Sequence, residues 1–89
     1  MFALFYSANG TAPHPRELDG MSEKEIVKAI IGKHDYRLYD LSTDQPTSKC
    51  INAREFEDDY NNEELDGGFW LRMLPTITYD EIIEATNKD

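Results

Sequence analysis

Cysteine is nearly missing from this chain, because Cys50 is the only one among 89 residues. A single cysteine cannot form an intrachain disulfide, and it offers no pair of thiols at a zinc-binding spacing. This composition fits a reducing compartment. We therefore expect Cys50 to be a buried, unreactive side chain, and we expect no metal ion or other cofactor.

Long apolar runs are missing as well. No stretch of the sequence approaches the roughly 20 apolar residues of a membrane-spanning helix. The amino terminus has neither the basic start nor the apolar segment of a signal peptide. These absences predict a cytoplasmic protein that has no membrane partner.

Positive charge is scarce. Lysine and arginine together number 9, against 18 aspartates and glutamates, so the formal net charge is −9. Nucleic acids and anionic membrane surfaces are bound through cations, and this balance argues against both as direct partners. The same balance favours a basic protein surface as the partner.

Recognisable catalytic motifs are also absent. The sequence contains no G-x-G-x-x-G fingerprint, no P-loop and no G-x-S-x-G elbow. Neither His14 nor His34 has a nucleophile at a recognisable spacing. We therefore predict that the protein is not an enzyme.

The pattern that is present predicts alternating strands and helices in one domain spanning residues 1–89. Helix caps, in which Glu follows a polar residue by three positions, occur at Ser22, Asn52 and Thr78. Strands are predicted over residues 2–7, 36–41 and 69–74, with a very short extended piece over 49–51. The expected fold class is α/β or α+β, with a three- to four-stranded mixed sheet covered by about three short helices in the order βαβαβα.

Two of the predicted strands carry apolar side chains on both faces. The sequence FALFYS over residues 2–7 indicates a central, well-covered strand. The sequence FWLRML over residues 69–74 predicts a strand that is buried on most of both sides. Pro75 is expected to end this second strand or to leave it at a sheet edge.

The densest charge lies between Ala53 and Asp66, where Arg54 stands against seven acidic residues for a net charge of −6. The spacing predicts a helix over residues 53–61, with Phe56 and Tyr60 anchored and the acids outward. Tyr60 would serve as an interface contact if exposed. The hypothesised partner-binding residues are this tyrosine and the seven acids, Glu55, Glu57, Asp58, Asp59, Glu63, Glu64 and Asp66.

This acidic cluster has three interpretations. It is a solvated face that keeps a small protein soluble, a binding surface for a basic partner, or a cation site. The segment lacks the central glycine and the ligand spacing of an EF-hand loop, which argues against calcium.

The chain resembles phage-encoded inhibitors of host defence nucleases in its small size, its strong acidity and its lack of catalytic motifs. The resemblance implies an acidic protein that occupies a basic nucleic-acid-binding surface, such as that of a nuclease, by imitating phosphate charge. The alternative function is a small-ligand-binding or enzymatic α/β domain. In it the loop of residues 8–20 caps a pocket and His14 and Arg16 are polar contacts. A homodimer formed through an uncovered sheet face or edge is a further possibility.

Overall fold

A computed structural model describes residues 1–7, 13–32, 35–42, 50–62 and 68–87. In chain order the elements are β1 (Phe2–Ser7), α1 (Glu23–Ile30), β2 (Tyr36–Asp40), β3 (Ile51–Asn52), α2 (Ala53–Asn61), β4 (Phe69–Leu74) and α3 (Tyr79–Asn87). A short 3₁₀ helix, Pro15–Leu18, lies between β1 and α1. The predicted fold class is confirmed. The very short extended piece predicted over residues 49–51 overlaps β3 at Ile51, and residue 49 lies outside the described residues.

The four strands form one mixed sheet in the order β3-β2-β1-β4. Strand β1 pairs antiparallel with both β2 and β4, whereas β2 pairs parallel with β3. The central position of β1 explains its sequence, because a strand with neighbours on both edges and cover on both faces has almost no contact with water. The prediction of a central first strand is confirmed.

The larger core lies between the sheet and the helices α1 and α3. Side chains of β1 at alternate positions, Phe2, Leu4 and Tyr6, meet the buried helical residues of this layer. Those helical residues include Ile26, Val27, Ile30, Ile82 and Ala85. We call this side of the sheet the α1/α3 face.

The helices begin where the capping pattern predicts. The side chains of Ser22, Asn52 and Thr78 accept hydrogen bonds from the backbone N–H three residues later, at 3.2, 2.9 and 3.2 Å. Helix α1 stops before Gly32, whose φ of +78° lies in the left-handed region that favours glycine. No helix in the described ranges is long and apolar enough to cross a membrane.

The opposite side of the sheet, which we call the α2 face, has a smaller core. Ala3, Phe5 and Tyr39 are buried there, with Phe56 of α2 packed against them. Helix α2 lies over β2 and β3 and leaves β4 uncovered among the described residues.

The prediction that the strand over residues 69–74 is buried on most of both sides is wrong. Trp70, Leu71 and Met73 are 40%, 44% and 42% exposed. The reason is position, because β4 is an edge strand that pairs with β1 alone in the described sheet. The expectation that Pro75 leaves this strand at an edge is confirmed.

Long-range polar contacts join the α1 region to β4 and to the turn that follows it. The Glu23 carboxylate accepts hydrogen bonds from the backbone N–H groups of Thr76, at 3.0 Å, and Ile77. The Arg72 guanidinium lies 3.3 Å from the Asp19 carboxylate. These contacts fix the turn between β4 and α3 against the start of α1.

Candidate protein-binding surface

Helix α2 is fixed to the sheet by its cap and by one aromatic side chain. The Asn52 side chain accepts a hydrogen bond from the N–H of Glu55 at 2.9 Å. The Phe56 ring meets the ring of Tyr39 edge-on, with the ring centres 4.7 Å apart. The helix therefore presents its remaining side chains from a fixed position.

Three carboxylates of α2 are directed into solvent. Glu55, Glu57 and Asp58 are exposed. At 3.6 residues per turn, Glu55 and Asp59 lie on one flank of the helix, Glu57 lies on the other flank with Tyr60, and Asp58 lies at the crest. Each part of the α2 surface that faces away from the sheet therefore carries negative charge.

The fourth carboxylate of the helix has a local partner. Asp59 is half-buried, and its carboxylate lies 3.8 Å from the guanidinium of Arg37 on β2. This pair orients Asp59 toward the sheet and offsets part of its charge. The charge that a partner would meet on α2 therefore comes mainly from Glu55, Glu57 and Asp58.

The prediction that Tyr60 is anchored on the sheet is wrong, because its side chain is 59% exposed. Its ring stacks beside Phe56, with centres 6.1 Å apart. Among the described residues, strand β3 pairs with β2 only at Tyr39 and Asp40. Tyr60 is thus a large side chain available for contact beside the acids.

The exposure of an apolar strip on β4 was not predicted from the sequence. Phe69, Leu71 and Met73 stand opposite Ser7, Phe5 and Ala3 in the register with β1, so they share the α2 face. Phe69 packs against Phe5 with ring centres 5.7 Å apart. Pro75, directly after the strand, was the one sequence signal of an edge. We call Phe69, Leu71 and Met73 the open strip.

The two fully buried tyrosines have altered acidity. Burial raises the pKa of Tyr6 above its ordinary value of 10.0, and the nearby charge of Arg72 acts in the opposite direction. Burial also raises the pKa of Tyr39, where Arg37 opposes the rise and Asp59 adds to it. Both phenols therefore stay neutral at physiological pH, which suits packing roles.

The residues of the alternative ligand loop have structural contacts. The Nδ1 atom of His14 accepts a hydrogen bond from the N–H of Arg16 at 3.2 Å, which caps the 3₁₀ helix. The His14 ring lies beside the Trp70 ring, with centres 5.5 Å apart. Arg16 is exposed. Residues 8–12 of this loop lie outside the described residues.

The structure brings five of the eight hypothesised partner-binding residues together on α2: Glu55, Glu57, Asp58, Asp59 and Tyr60. The other three, Glu63, Glu64 and Asp66, lie outside the described residues. Within the part of the chain that is described, no three His, Cys, Asp or Glu side chains are grouped to hold a metal ion. Cys50 is buried, as expected.

Comparison with known proteins finds no family model, curated protein or solved structure that matches the chain.

Proposed function

We propose that this protein is a non-enzymatic binding module whose acidic helix α2 engages a basic surface of another protein. In its sharpest form it is an inhibitor that occupies a nucleic-acid-binding surface, such as that of a nuclease, and imitates phosphate charge. The single observation that carries the proposal is the combination of exposed acids and the exposed Tyr60 on one anchored helix.

Geometry supports the comparison with phosphate. Glu55, Glu57 and Asp58 hold three exposed negative charges within one turn of α2, over about 5 Å of the helix axis. Fixed carboxylates of this kind steer a basic partner and disfavour neutral or acidic ones. Tyr60 adds a large amphipathic contact of the type found in binding hot spots.

The experiment is affinity capture from nuclease-treated lysate of the source cell, eluted by a salt gradient. The test variant carries Glu57→Lys and Asp58→Lys, which change exposed acids of α2. The control carries Asp35→Lys and Asp80→Lys, which change two exposed acids outside α2 and shift the net charge equally. We expect wild type and control to retain a basic protein that the test variant binds at least about tenfold more weakly.

Salt should release the retained protein, because attraction between exposed charges is screened within about 10 Å at 0.1 M ionic strength. Equal retention by the test and control variants would show that net charge, rather than α2, attracts the partner. That result would refute the proposal. A captured nucleic-acid-handling protein whose activity falls when this protein is added would support the inhibitor form.

The small-ligand alternative has no comparable support. In the described part of the loop, the Nδ1 atom of His14 accepts the hydrogen bond that caps the 3₁₀ helix, and its ring lies beside that of Trp70, so structural contacts account for this residue. We therefore do not propose it as a second function.

A further inference from the structure

The two edges of the described sheet differ in length. Strand β3 has two residues, and so short an edge strand gives another chain little to pair with. Strand β4, at the other edge, has six residues, and its pairing with β1 runs from Phe69 to Leu74 without a bulge. Alternate residues of an edge strand direct their backbone N–H and C=O groups away from the sheet. No other strand among the described residues pairs with this edge of β4.

The side chains of β4 lack the features that commonly keep a sheet edge from pairing, which are lysines, prolines within the strand and bulges. The one charged side chain of β4 is Arg72, and it is bound to Asp19 at 3.3 Å. The nearest proline, Pro75, lies just beyond the strand. Leu71 and Met73 are exposed beside the open backbone edge. The strand is therefore suited to accept a further strand.

We propose that β4 pairs antiparallel with β4 of a second copy of this chain, so that two four-stranded sheets form one continuous sheet. Two identical strands paired in this way are related by a two-fold axis perpendicular to the sheet. Both copies therefore have their α2 faces on the same side. Residues that stand directly opposite one another project on the same face, which limits the pairing to a few registers.

One register suits the side chains of β4. When Leu71 stands opposite Leu71 of the second copy, Phe69 stands opposite Met73, and the two open strips cover each other. On the other face, Trp70 stands opposite Arg72, a combination of indole and guanidinium that is favourable. A register centred on Arg72 would place two guanidinium groups opposite each other, which is unfavourable. A register centred on Trp70 would leave Met73 with no residue of β4 opposite it.

The net charge of −9 is distributed so that it permits this pairing. No residue of β4 is acidic. In the joined sheet, β2 of one copy is five strand spacings from β2 of the other, about 24 Å. Because α2 packs against β2 and β3, the two acidic helices are separated by more than the screening length of about 8 Å at physiological ionic strength. Added salt screens the remaining repulsion and should strengthen the dimer, whereas it weakens binding of a basic partner to α2.

The test is the mass of the full chain in solution, measured by sedimentation equilibrium at increasing protein concentration and at low and high salt. We expect the mass to rise from 10.3 kDa toward twice that value, at lower protein concentration when salt is high. Leu71→Lys places two ammonium groups opposite each other at the axis, and we expect it to weaken the dimer at least about tenfold. Met21→Lys makes the same charge change at a 38% exposed methionine outside β4 and should dimerise like the wild type. Circular dichroism checks that each variant is folded.

A charge exchange at the axis tests the register. Leu71→Glu should also fail to dimerise on its own, because two carboxylates would stand opposite each other. An equimolar mixture of the Leu71→Lys and Leu71→Glu chains should form a dimer with one copy of each, because lysine then stands opposite glutamate. A mixture that stays monomeric would overturn the proposed pairing.

The dimer does not depend on the proposed function, and the two fail separately. A wild-type chain that keeps a mass of 10.3 kDa at every concentration and salt would overturn the dimer, even if α2 captures a basic protein. Undiminished dimerisation of Leu71→Lys would also overturn it, because another surface would then join the copies. The variant with Glu57→Lys and Asp58→Lys should dimerise at least as well as the wild type, so its loss of a captured partner would concern α2 alone.

Discussion

Replacing Glu23, in the first turn of α1, by alanine is expected to lower the free energy of unfolding by about 2 kcal/mol. Its carboxylate accepts hydrogen bonds from two successive backbone N–H groups, those of Thr76 and Ile77. In the alanine variant both donors lose a charged acceptor, and the turn between β4 and α3 loses its attachment to α1.

The magnitude follows from the unequal exposure of the two donors. The N–H of Ile77 is partly buried, so its loss costs about 1.5 kcal/mol, the lower end for a hydrogen bond to a charged group. The N–H of Thr76 is exposed and can bind water instead, which reduces its share to about 0.5 kcal/mol. For a domain of this length, a total of about 2 kcal/mol lowers Tm by about 10 °C.

Thermal and urea unfolding, followed by circular dichroism, measure this change. Glu84→Ala is the matched control, because it also removes one negative charge and breaks an exposed ion pair with Lys24 at 2.9 Å. An exposed pair of this kind contributes about 0.5 kcal/mol or less. If Glu23→Ala and Glu84→Ala lower Tm by the same amount, the stabilising role of the Glu23 hydrogen bonds is refuted.

Three further perturbations test the packing. The free energy of unfolding is expected to fall above pH 10, because tyrosines of the unfolded chain ionise there while burial holds the pKa of Tyr6 and Tyr39 higher. Urea midpoints measured between about pH 8 and pH 11 should fall less steeply in a Tyr39→Phe variant than in the wild type. Tyr60→Phe, which changes an exposed tyrosine, is the control. Asn52→Ala should cost about 1 kcal/mol by removing the cap of α2, and Asn52→Asp should retain most of it, as chemical unfolding would measure. Phe56→Ala should lower the free energy of unfolding by about 3 kcal/mol through loss of the contact with Tyr39. Unchanged stability would contradict the conclusion that Phe56 anchors α2 to the sheet.

Features that depend on a few neighbouring residues were predictable from the sequence. The caps at Ser22, Asn52 and Thr78 need only a polar side chain and the N–H three residues later, so the pattern identifies them directly. The central first strand was predictable because apolar residues at every position of residues 2–6 leave no face for water.

Features that depend on distant parts of the chain were not predictable. The sequence FWLRML has apolar residues on both faces, yet β4 is partly exposed because it lies at an edge of the described sheet, while α2 packs against β2 and β3. Tyr60 has helical spacing from Phe56, yet its ring stacks beside Phe56 and its side chain is 59% exposed. The hydrogen bond that the Ile77 N–H donates to the Glu23 carboxylate joins residues 54 positions apart. No local sequence pattern indicates a contact between residues so far apart.

The central position of β1 has a consequence for the order in which the chain can fold during synthesis. Strand β1 is made before both of its neighbours, β2 and β4, and the α1/α3 face closes only when α3 follows. Domains generally fold as units once their contacts are available. The segment FALFYS therefore lacks its pairing with β4 and its cover from α3 until residues 69–87 have been made. A chain stopped before β4 would expose this strand, and such a fragment is expected to aggregate or to require a chaperone.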